Sequence, residues 1–370
     1  MKIVQICHNY LPHIGGIEYY IKRTVDNLVQ KNYKSKVLTT DMNTPLNGRK
    51  DEATYFKTSI SLMRNPFSMD FTKHLISNNY EIMHLHSIWF ITSFMAVLFS
   101  KKAKIVTTIH GVYPNNPNRS LKFFLLMYKP FAKFVLTNSD VIIVLSNLEK
   151  NSLIKKFNIS EKKVIIIHNG INVEPCIEKK EDSIILFTGR IIKEKNPELV
   201  ISAVALLPPI YKHFKIIFIG SIENQYKTHL INYAQKIGIE DRLFFIAPLD
   251  PSIAAEKNKL MNYYKSARVF LSLGSWEGQP TRLMEAMQFK TPVIAYGSGG
   301  TEDFISDGIN GVILKILDPV LLAEKLDSIL RDRAYAAKLG KNGRRTIELQ
   351  YSWENSFLKI LKVYNDLIVE

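Results

Sequence analysis

The stretch "KIVQICHNYLPHIGGIEYYIKRTVDNLVQKNYKSKVLTT", residues 2–40, indicates the fold class. It begins with an apolar run that does not alternate with polar residues, which is typical of a parallel strand buried on both faces. A turn-rich loop follows, then apolar residues at helical spacing, and then a second short strand pattern. A strand, a helix and a strand in this order predict a βαβ unit within a parallel sheet.

The same alternation continues along the chain in two series. The first holds the strand patterns "EIMHLH", "AKIVTTIHG", "DVIIVLS" and "KVIIIHNG". A polar stretch at residues 168–183 then interrupts it and is typical of a linker. The second series holds "IILFTGR", "FKIIFIG", "RLFFIAP", "RVFLSL" and "PVIAYG". We predict an α/β protein with two Rossmann-like domains facing each other across a cleft. The predicted domains are residues 1–170 with a C-terminal helix at about 354–370, and residues 171–353.

Composition is that of a soluble globular protein, with 46% hydrophobic and 22% charged residues among 370. Only Cys7 and Cys176 are present, so we expect no disulfide framework and a reducing, cytoplasmic environment. The N-terminal apolar run is too short for a signal-peptide core. The longest apolar run, residues 88–99, is shorter than the ~20 residues of a membrane span, so a buried helix is expected there.

A net charge of +15 predicts an anionic partner: nucleic acid, an anionic membrane surface or a phosphorylated small molecule. Residues 82–139 contain no acidic residue, and "LKFFLLMYKPFAKFVL" mixes lysines with large apolar side chains. That mixture suits a helix in a lipid interface, or equally a core helix with a basic solvent face. No nucleic-acid motif accompanies the charge, so nucleic acid is not expected as a partner. The candidate membrane or acceptor contacts are Lys101, Lys102, Lys104, Lys122, Lys129 and Lys133.

Ligands of such sheets bind where strands end and loops lead into helices. Arg190 and Lys195 lie in one such loop, "FTGRIIKEKNP", where they could neutralise a diphosphate or form a solvated basic loop. Gly15 and Gly16 lie in another loop. They either let a ligand approach the backbone closely or only form a tight turn.

Two glutamates flank a turn in "SWEGQPTRLMEAM", Glu277 and Glu285. With Thr281 as a helix cap, both carboxylates suit the acceptance of hydrogen bonds from sugar hydroxyls. Alternatively, Glu285 only complements a helix dipole. His110 ends a strand, as His8, His84, His86 and His168 nearly do, and such a histidine is more often structural than a ligand. No histidine spacing supports a metal site, and none is predicted.

Taken together, the chain resembles the retaining GT-B glycosyltransferases of family 4, also called glycosyl transferases group 1. The matching pieces occur in family order: "GGIE", "TIHG", "HNGIN", "TGRIIKEKN", "EGQPTRLMEAM" and "TPVIAYGSGGTEDFISDGINGVIL". They span nearly the whole chain. One departure is "EGQP", residues 277–280, where many members have Glu-Gly-Phe-Gly. The proline removes one backbone N–H donor.

The resemblance implies a role for each matching residue. Arg190 and Lys195 would bind the diphosphate of a sugar nucleotide and stabilise it as the leaving group, with no bound metal. Glu277 would contact the transferred sugar and Glu285 the ribose hydroxyls, while His110 would lie near the sugar. The base would lie near Ile246 and Ala247, and further donor contacts would come from Gly15, Gly16, Gly278, Gln279, Pro280 and Thr281. The leaving phosphate can take the acceptor's proton, so no protein base is required.

The expected activity is therefore the transfer of a hexose, with retention, from a UDP- or GDP-sugar. The acceptor would be a lipid-linked or surface saccharide of O-antigen, capsule or glycolipid synthesis. The expected location is the cytoplasmic face of the cell membrane. A sugar-nucleotide epimerase on the same scaffold and a non-catalytic basic protein that binds lipid remain alternatives.

Overall fold

The computed structural model describes residues 1–13, 15–42, 44, 48–62, 65–100, 102–111, 119–176, 183–250, 253–274, 281–297 and 299–369, without the side chains of residues 120 and 121. The chain divides into two compact units. The first is Met1–Asn169 together with Ser356–Glu370, and the second is Gly170–Asn355.

The described part of the first unit contains a seven-stranded parallel sheet in the order β3-β2-β1-β6-β7-β8-β9. Its strands are β1 (Lys2–Ile6), β2 (Lys34–Thr40), β3 (Ala53–Phe56), β6 (Ile82–His86), β7 (Lys104–Thr108), β8 (Val141–Val144) and β9 (Val164–Ile166). Strands β4 (Ile60–Leu62) and β5 (Asn65–Phe67) pair with each other as a separate antiparallel hairpin. Neither β3 nor the hairpin follows from the sequence pattern.

Helices cover the first sheet: α1 (Gly16–Gln30), α2 (Met69–Ser77), α3 (Ile91–Leu98), α4 (Arg119–Asn138) and α5 (Asn147–Phe157). Serine side chains begin two of them, since Ser68 Oγ accepts from the backbone of Phe71 and Ser146 Oγ from that of Glu149. Helix α3 lies inside the apolar run at residues 88–99, as predicted, and Ala96 and Val97 are buried there.

In the second unit the described residues form a six-stranded parallel sheet in the order β12-β11-β10-β13-β14-β15. The strands are β10 (Ile184–Thr188), β11 (Lys215–Ile219), β12 (Leu243–Ile246), β13 (Val269–Ser272), β14 (Val293–Tyr296) and β15 (Val312–Leu314). The helices are α6 (Pro197–Ala205), α7 (Asn224–Lys236), α8 (Ala254–Ser266), α9 (Thr281–Met287), α10 (Pro319–Arg331) and α11 (Arg333–Gln350).

Each sheet is a Rossmann-like parallel sheet with buried strands, which confirms the predicted α/β fold. In the first unit β6 is buried along its whole length, and in the second β10 is too. Each sheet has one point where the order in which the chain adds its strands reverses. This point lies between β1 and β6 in the first unit and between β10 and β13 in the second. The carboxyl ends of the strands at such reversals are where ligands of this fold bind.

The helix α12 (Trp353–Val369) begins in the second unit and continues into the first. In the second unit the Trp353 backbone donates to Ile171 O at 2.8 Å. Within the first unit Ser356 Oγ donates to His168 O at 2.8 Å, and Tyr364 is fully buried. Residues that follow the whole second unit therefore complete the core of the first.

Candidate functional site

A pocket opens in the second unit where β10 and β13 end. It is lined by Phe187, Thr188, Gly189, Arg190, Lys195, Leu271, Ser272, Leu273, Thr281 and Arg282. Three of the predicted donor-binding residues, Arg190, Lys195 and Thr281, are thus brought together at one reversal point of the sheet. The location agrees with the general rule for ligand sites in open parallel sheets.

The loop after β10 is held close to the neighbouring strand by two glycines. Gly189 has φ +116° and donates its N–H to Ile219 O at 2.9 Å. Gly220 has φ +154°, and a Cβ atom there would lie 1.8 Å from Gly189 O. Because a side chain cannot fit at Gly220, this close approach fixes the start of the loop that carries Arg190.

Asn196 fixes the other end of that loop. It adopts the left-handed conformation at φ 55°, ψ 48°, immediately before Pro197, the first residue of α6. Its side-chain amide donates to Leu273 O, after β13, at 2.6 Å. Lys195 lies in the 3-10 turn Lys193–Lys195 between these anchors, so its backbone position is set by both strands.

The loop supplies positive charge to the pocket. Arg190 is exposed and has no carboxylate partner in the part of the chain that the structure describes, and Lys195 is half-buried. A guanidinium beside an ammonium can bind the two phosphates of a diphosphate, since the first forms paired hydrogen bonds and the second acts as a point charge. The pocket is therefore suited to a polyanion.

Glu285 is held next to this pocket by two hydrogen bonds to one of its oxygens. Tyr264 Oη donates to Glu285 Oε2 at 2.8 Å, and Arg282 Nη1 donates to the same oxygen at 2.9 Å. Tyr264 Oη in turn lies 2.9 Å from Thr188 Oγ1 at the end of β10. Within the described residues, Glu285 Oε1 has no hydrogen-bond partner, so it can accept from a ligand hydroxyl.

The electrostatics of this chain keep each donor protonated. Burial, with the charge of Glu285 beside it, raises the pKa of Tyr264 well above its usual value. The Glu285 carboxylate likewise raises the pKa of Arg282. Because Tyr264 donates to Glu285, its oxygen is left to accept from Thr188. The orientation of the glutamate is therefore built in before any ligand binds.

Other predicted donor contacts either do not line this pocket or lie outside the described residues. Ile246 is the last residue of β12, the edge strand of the sheet, and Ala247 follows it at the exposed carboxyl edge. Neither lines the pocket at β10 and β13. Glu277, Gly278, Gln279 and Pro280 lie outside the described residues.

In the first unit, His110 follows β7 and contacts a cluster of buried polar groups. His110 Nε2 lies 3.2 Å from His86 Nδ1, and the Tyr20 ring packs edge-on against His110 at 5.0 Å between centroids. Burial lowers the pKa of His110 to about 3, and burial with the neighbouring His110 also lowers the pKa of His84 to about 3. These imidazoles are neutral at physiological pH.

Gly15 and Gly16 lie at the start of α1, as predicted. The carboxylate of Glu18 folds back over Gly15, where an added Cβ would lie 2.3 Å from Glu18 Oε2. Glu18 is only 5% exposed, and burial raises the pKa of its carboxyl group. A side chain at Gly15 would therefore displace the Glu18 carboxylate, whereas a Cβ at Gly16 would meet no atom within 4 Å.

Helix α4 presents a large apolar stripe to solvent. Its members are exposed by between 36% and 67% and follow helical spacing: Phe123, Leu126, Met127, Phe131 and Phe134. Lys122 and Lys133 are exposed on the same helix, and Lys129 lies with its Nζ 5.9 Å from the Phe157 ring centroid. Lys102 and Lys104 are at the start of β7 instead, and Lys101 is outside the described residues.

Sequence reasoning missed Tyr264, Thr188 and Asn196 as parts of the site. Tyr264 and Thr188 are 76 residues apart, so no local spacing reveals their contact. Arg282 could have been found, because it precedes Glu285 by three positions on a helix and pairs with it. Among the described residues no group of three or more His, Cys, Asp or Glu is arranged to hold a metal ion. No helix in those residues has the length and hydropathy to cross a membrane.

Comparison with known proteins places these features in a family. The models for glycosyl transferases group 1 and for glycosyltransferase family 4 match residues 173–346 and 14–175. An uncharacterized glycosyltransferase of Methanocaldococcus jannaschii is 26% identical over 367 residues, covering 97% of this chain and 96% of the relative. The UDP-Gal:alpha-D-GlcNAc-diphosphoundecaprenol alpha-1,3-galactosyltransferase of Escherichia coli is 25% identical over 334 residues, 84% of this chain and 82% of the relative.

Among solved structures, HepE of Anabaena in complex with UDP superposes with a TM-score of 0.79 at 15% identity, covering 99% of this chain and 100% of that one. This likeness shows the fold. The two family matches together run from residue 14 to residue 346, in the order that the sequence motifs predict. The chain therefore belongs to the family 4 glycosyltransferases and is an enzyme of the GT-B fold.

Proposed function

We propose that this enzyme transfers a hexose-type sugar from a UDP- or GDP-sugar to a lipid-linked or saccharide acceptor, with retention of anomeric configuration. Support for the donor class comes from the Anabaena structure, which holds UDP. Support for the acceptor class comes from the Escherichia coli relative, whose name specifies a diphosphoundecaprenol-linked sugar.

The observation that carries the proposal is the placement of Arg190 and Lys195 on one pocket at the reversal point of the second sheet. Departure of a nucleoside diphosphate develops negative charge on the leaving phosphate. Fixed cations aimed at that charge lower the barrier without reorganising during the reaction. In this role both side chains are catalytic, and they also bind the donor.

Glu285 is the second part of the donor site. Its Oε1 would accept hydrogen bonds from the ribose hydroxyls, while Tyr264 and Arg282 hold Oε2. As the family resemblance implies, Glu277 would contact the transferred sugar and His110 would lie near that sugar. A front-face reaction, in which the acceptor attacks from the side of the departing phosphate, gives retention and lets that phosphate take the proton.

Turnover by purified enzyme tests the proposal. Radiolabelled UDP- and GDP-hexoses are supplied with a lipid extract, and transfer to lipid is measured. We expect Arg190→Ala and Glu285→Ala each to lower transfer by about 100-fold or more, as the loss of a charge-stabilising or orienting contact does at other active sites. The matched control is Lys193→Ala, because Lys193 is exposed in the same loop but does not line the pocket.

Three results would contradict the assignment. The site is wrong if Arg190→Ala and Glu285→Ala retain full activity, or if Lys193→Ala loses as much activity as Arg190→Ala. The reaction class is wrong if the wild-type protein only isomerises the sugar nucleotide. Circular dichroism and thermal melting of each variant establish that the fold is intact.

We further propose that the α4 surface, Phe123, Leu126, Met127, Phe131 and Phe134 with their neighbouring lysines, rests on the anionic cytoplasmic face of the cell membrane. Apolar side chains would enter the headgroup boundary, and Lys122, Lys129 and Lys133 would lie near lipid phosphates. A lipid-linked acceptor would be reached from that position.

Vesicle co-sedimentation tests the membrane contact. Each lysine near an anionic surface contributes about 1 kcal/mol, so replacing Lys122, Lys129 and Lys133 by Glu lowers binding by more than about 100-fold. The control is Lys155→Glu with Lys156→Glu, which changes charge on α5 instead. Unchanged binding of the α4 variant, or equal loss in the α5 variant, would show that α4 is not the membrane surface.

A further inference from the structure

A chain of hydrogen bonds runs through the first unit from α12 to His110. Tyr364 Oη of α12 lies 2.5 Å from His84 Nδ1 and accepts from Gln5 Nε2 at 3.3 Å. Gln5 Oε1 lies 2.8 Å from His86 Nε2, and His86 Nδ1 lies 3.2 Å from His110 Nε2. Gln5, His84, His86 and Tyr364 are all fully buried, and none of them lines the pocket at β10 and β13.

The direction of each hydrogen bond in this chain follows from Gln5. The amide oxygen of Gln5 can only accept, so His86 carries its proton on Nε2 and its Nδ1 is an acceptor. His110 must then donate through Nε2, which leaves His110 Nδ1 without a proton. In the other arm Tyr364 accepts from Gln5 and donates to His84 Nδ1, and His84 Nε2 donates to Thr108 Oγ1 at 2.6 Å.

We propose that Gln5, His86 and Tyr364 are positioning residues that hold His110 in the tautomer with a proton on Nε2 and a free lone pair on Nδ1. A His110 fixed in this form accepts a hydrogen bond from a substrate hydroxyl and cannot donate one through Nδ1. Tyr364 reaches His110 through this chain although 254 positions separate them, because α12 returns to the first sheet. Only the contact of His110 with a sugar hydroxyl rests on the proposed function.

The opposite direction of these hydrogen bonds would give the other tautomer of His110. If the Gln5 amide turned over, His86 would carry its proton on Nδ1 and donate to His110 Nε2. His110 would then hold its proton on Nδ1 and present a donor to the sugar. Turning the Gln5 amide would also require the Tyr364 hydroxyl to donate to Gln5 and the tautomer of His84 to change, because Tyr364 joins Gln5 to His84, so these residues can reverse only together.

Nitrogen NMR of the protein labelled with ¹⁵N-histidine reads the tautomer directly and needs no substrate. His110→Gln assigns the His110 signals. We expect wild-type His110 to be neutral at pH 7 with its proton on Nε2. Tyr364→Phe, which keeps the buried ring, and Gln5→Met, which keeps the length of the side chain, should each give a mixture of both tautomers.

Kinetics separate positioning from packing. We expect Tyr364→Phe to lower kcat about 5- to 10-fold with little change in donor KM, the effect of one misdirected hydrogen bond. The matched control is Leu367→Ala, which removes a buried side chain from the same helix and leaves the hydrogen bonds from Tyr364 to His110 intact. It should keep a single His110 tautomer and keep kcat within about twofold.

The proposal is overturned if wild-type His110 carries its proton on Nδ1. It is also overturned if both Tyr364→Phe and Gln5→Met leave the tautomer unchanged, or if Leu367→Ala reproduces their effect. The NMR result does not depend on turnover. A wild-type protein with the expected tautomer but no transferase activity would therefore refute the proposed function and leave the proposal on the His110 tautomer intact.

Discussion

Mild acid should destabilise the first unit through its buried histidines. Burial holds the pKa of His84 and His110 at about 3, and it lowers the pKa of His86 as well. In the unfolded chain each histidine titrates near its ordinary value of about 6.5. Below that pH the unfolded state binds protons that the folded state does not, so the free energy of unfolding falls as the pH decreases.

The size of the effect follows from that difference. Between pH 7 and pH 5.5 each of the three histidines lowers the free energy of unfolding by about 1.3 kcal/mol, or about 4 kcal/mol together. That is a large fraction of the roughly 5–15 kcal/mol that holds a typical domain folded. The loss should continue to grow until the pH approaches the folded pKa values near 3.

Urea unfolding followed by circular dichroism at a series of pH values between 7 and 5.5 measures this slope. The comparison is His84→Gln, which removes one titrating group and should reduce the fall by about 1.3 kcal/mol over the same range. The reasoning is refuted if the wild-type free energy of unfolding is flat over this range, or if His84→Gln keeps the full slope.

Two further predictions concern the second unit. Gly220→Ala places a Cβ on Gly189 O and should lower the free energy of unfolding by about 2–4 kcal/mol, as measured by chemical denaturation. A free energy of unfolding within about 0.5 kcal/mol of wild type, the effect of an ordinary surface change, would contradict the close approach. Tyr264→Phe removes one of the two donors to Glu285 Oε2 and should raise the donor Kd by about 5- to 10-fold in calorimetry with the intact sugar nucleotide. Unchanged affinity would mean that Arg282 alone orients the carboxylate.

The sequence predicts those strands whose apolar residues continue along the whole strand. Buried parallel strands such as β1 and β10 are continuous apolar runs between turn residues, and this signal is strong. It fails for β3, Ala53–Phe56, because three of its four residues are only half-buried and the segment is not a continuous apolar run.

The candidate site was predictable where one loop supplies it and not where the fold assembles it. Arg190 and Lys195 share a loop, so their joint placement follows from the strand that precedes them. The contact of Tyr264 with Thr188 joins residues from a helix and a strand that only the folded sheet brings together. Helix α4 shows a third case, because it is apolar on both faces and periodicity does not indicate which one meets solvent.

The path of α12 has a consequence for biosynthesis. A ribosome makes the first sheet early, but Tyr364, which satisfies the buried Gln5 and His84, is made after the whole second unit. Until then, Gln5 Nε2 and His84 Nδ1 lack the hydroxyl that they contact in the folded protein, and the core lacks the buried side chains of Phe357 and Ile360. The first unit must therefore wait for residues 356–370, and a nascent chain stalled before residue 356 should be the species that chaperones and proteases recognise.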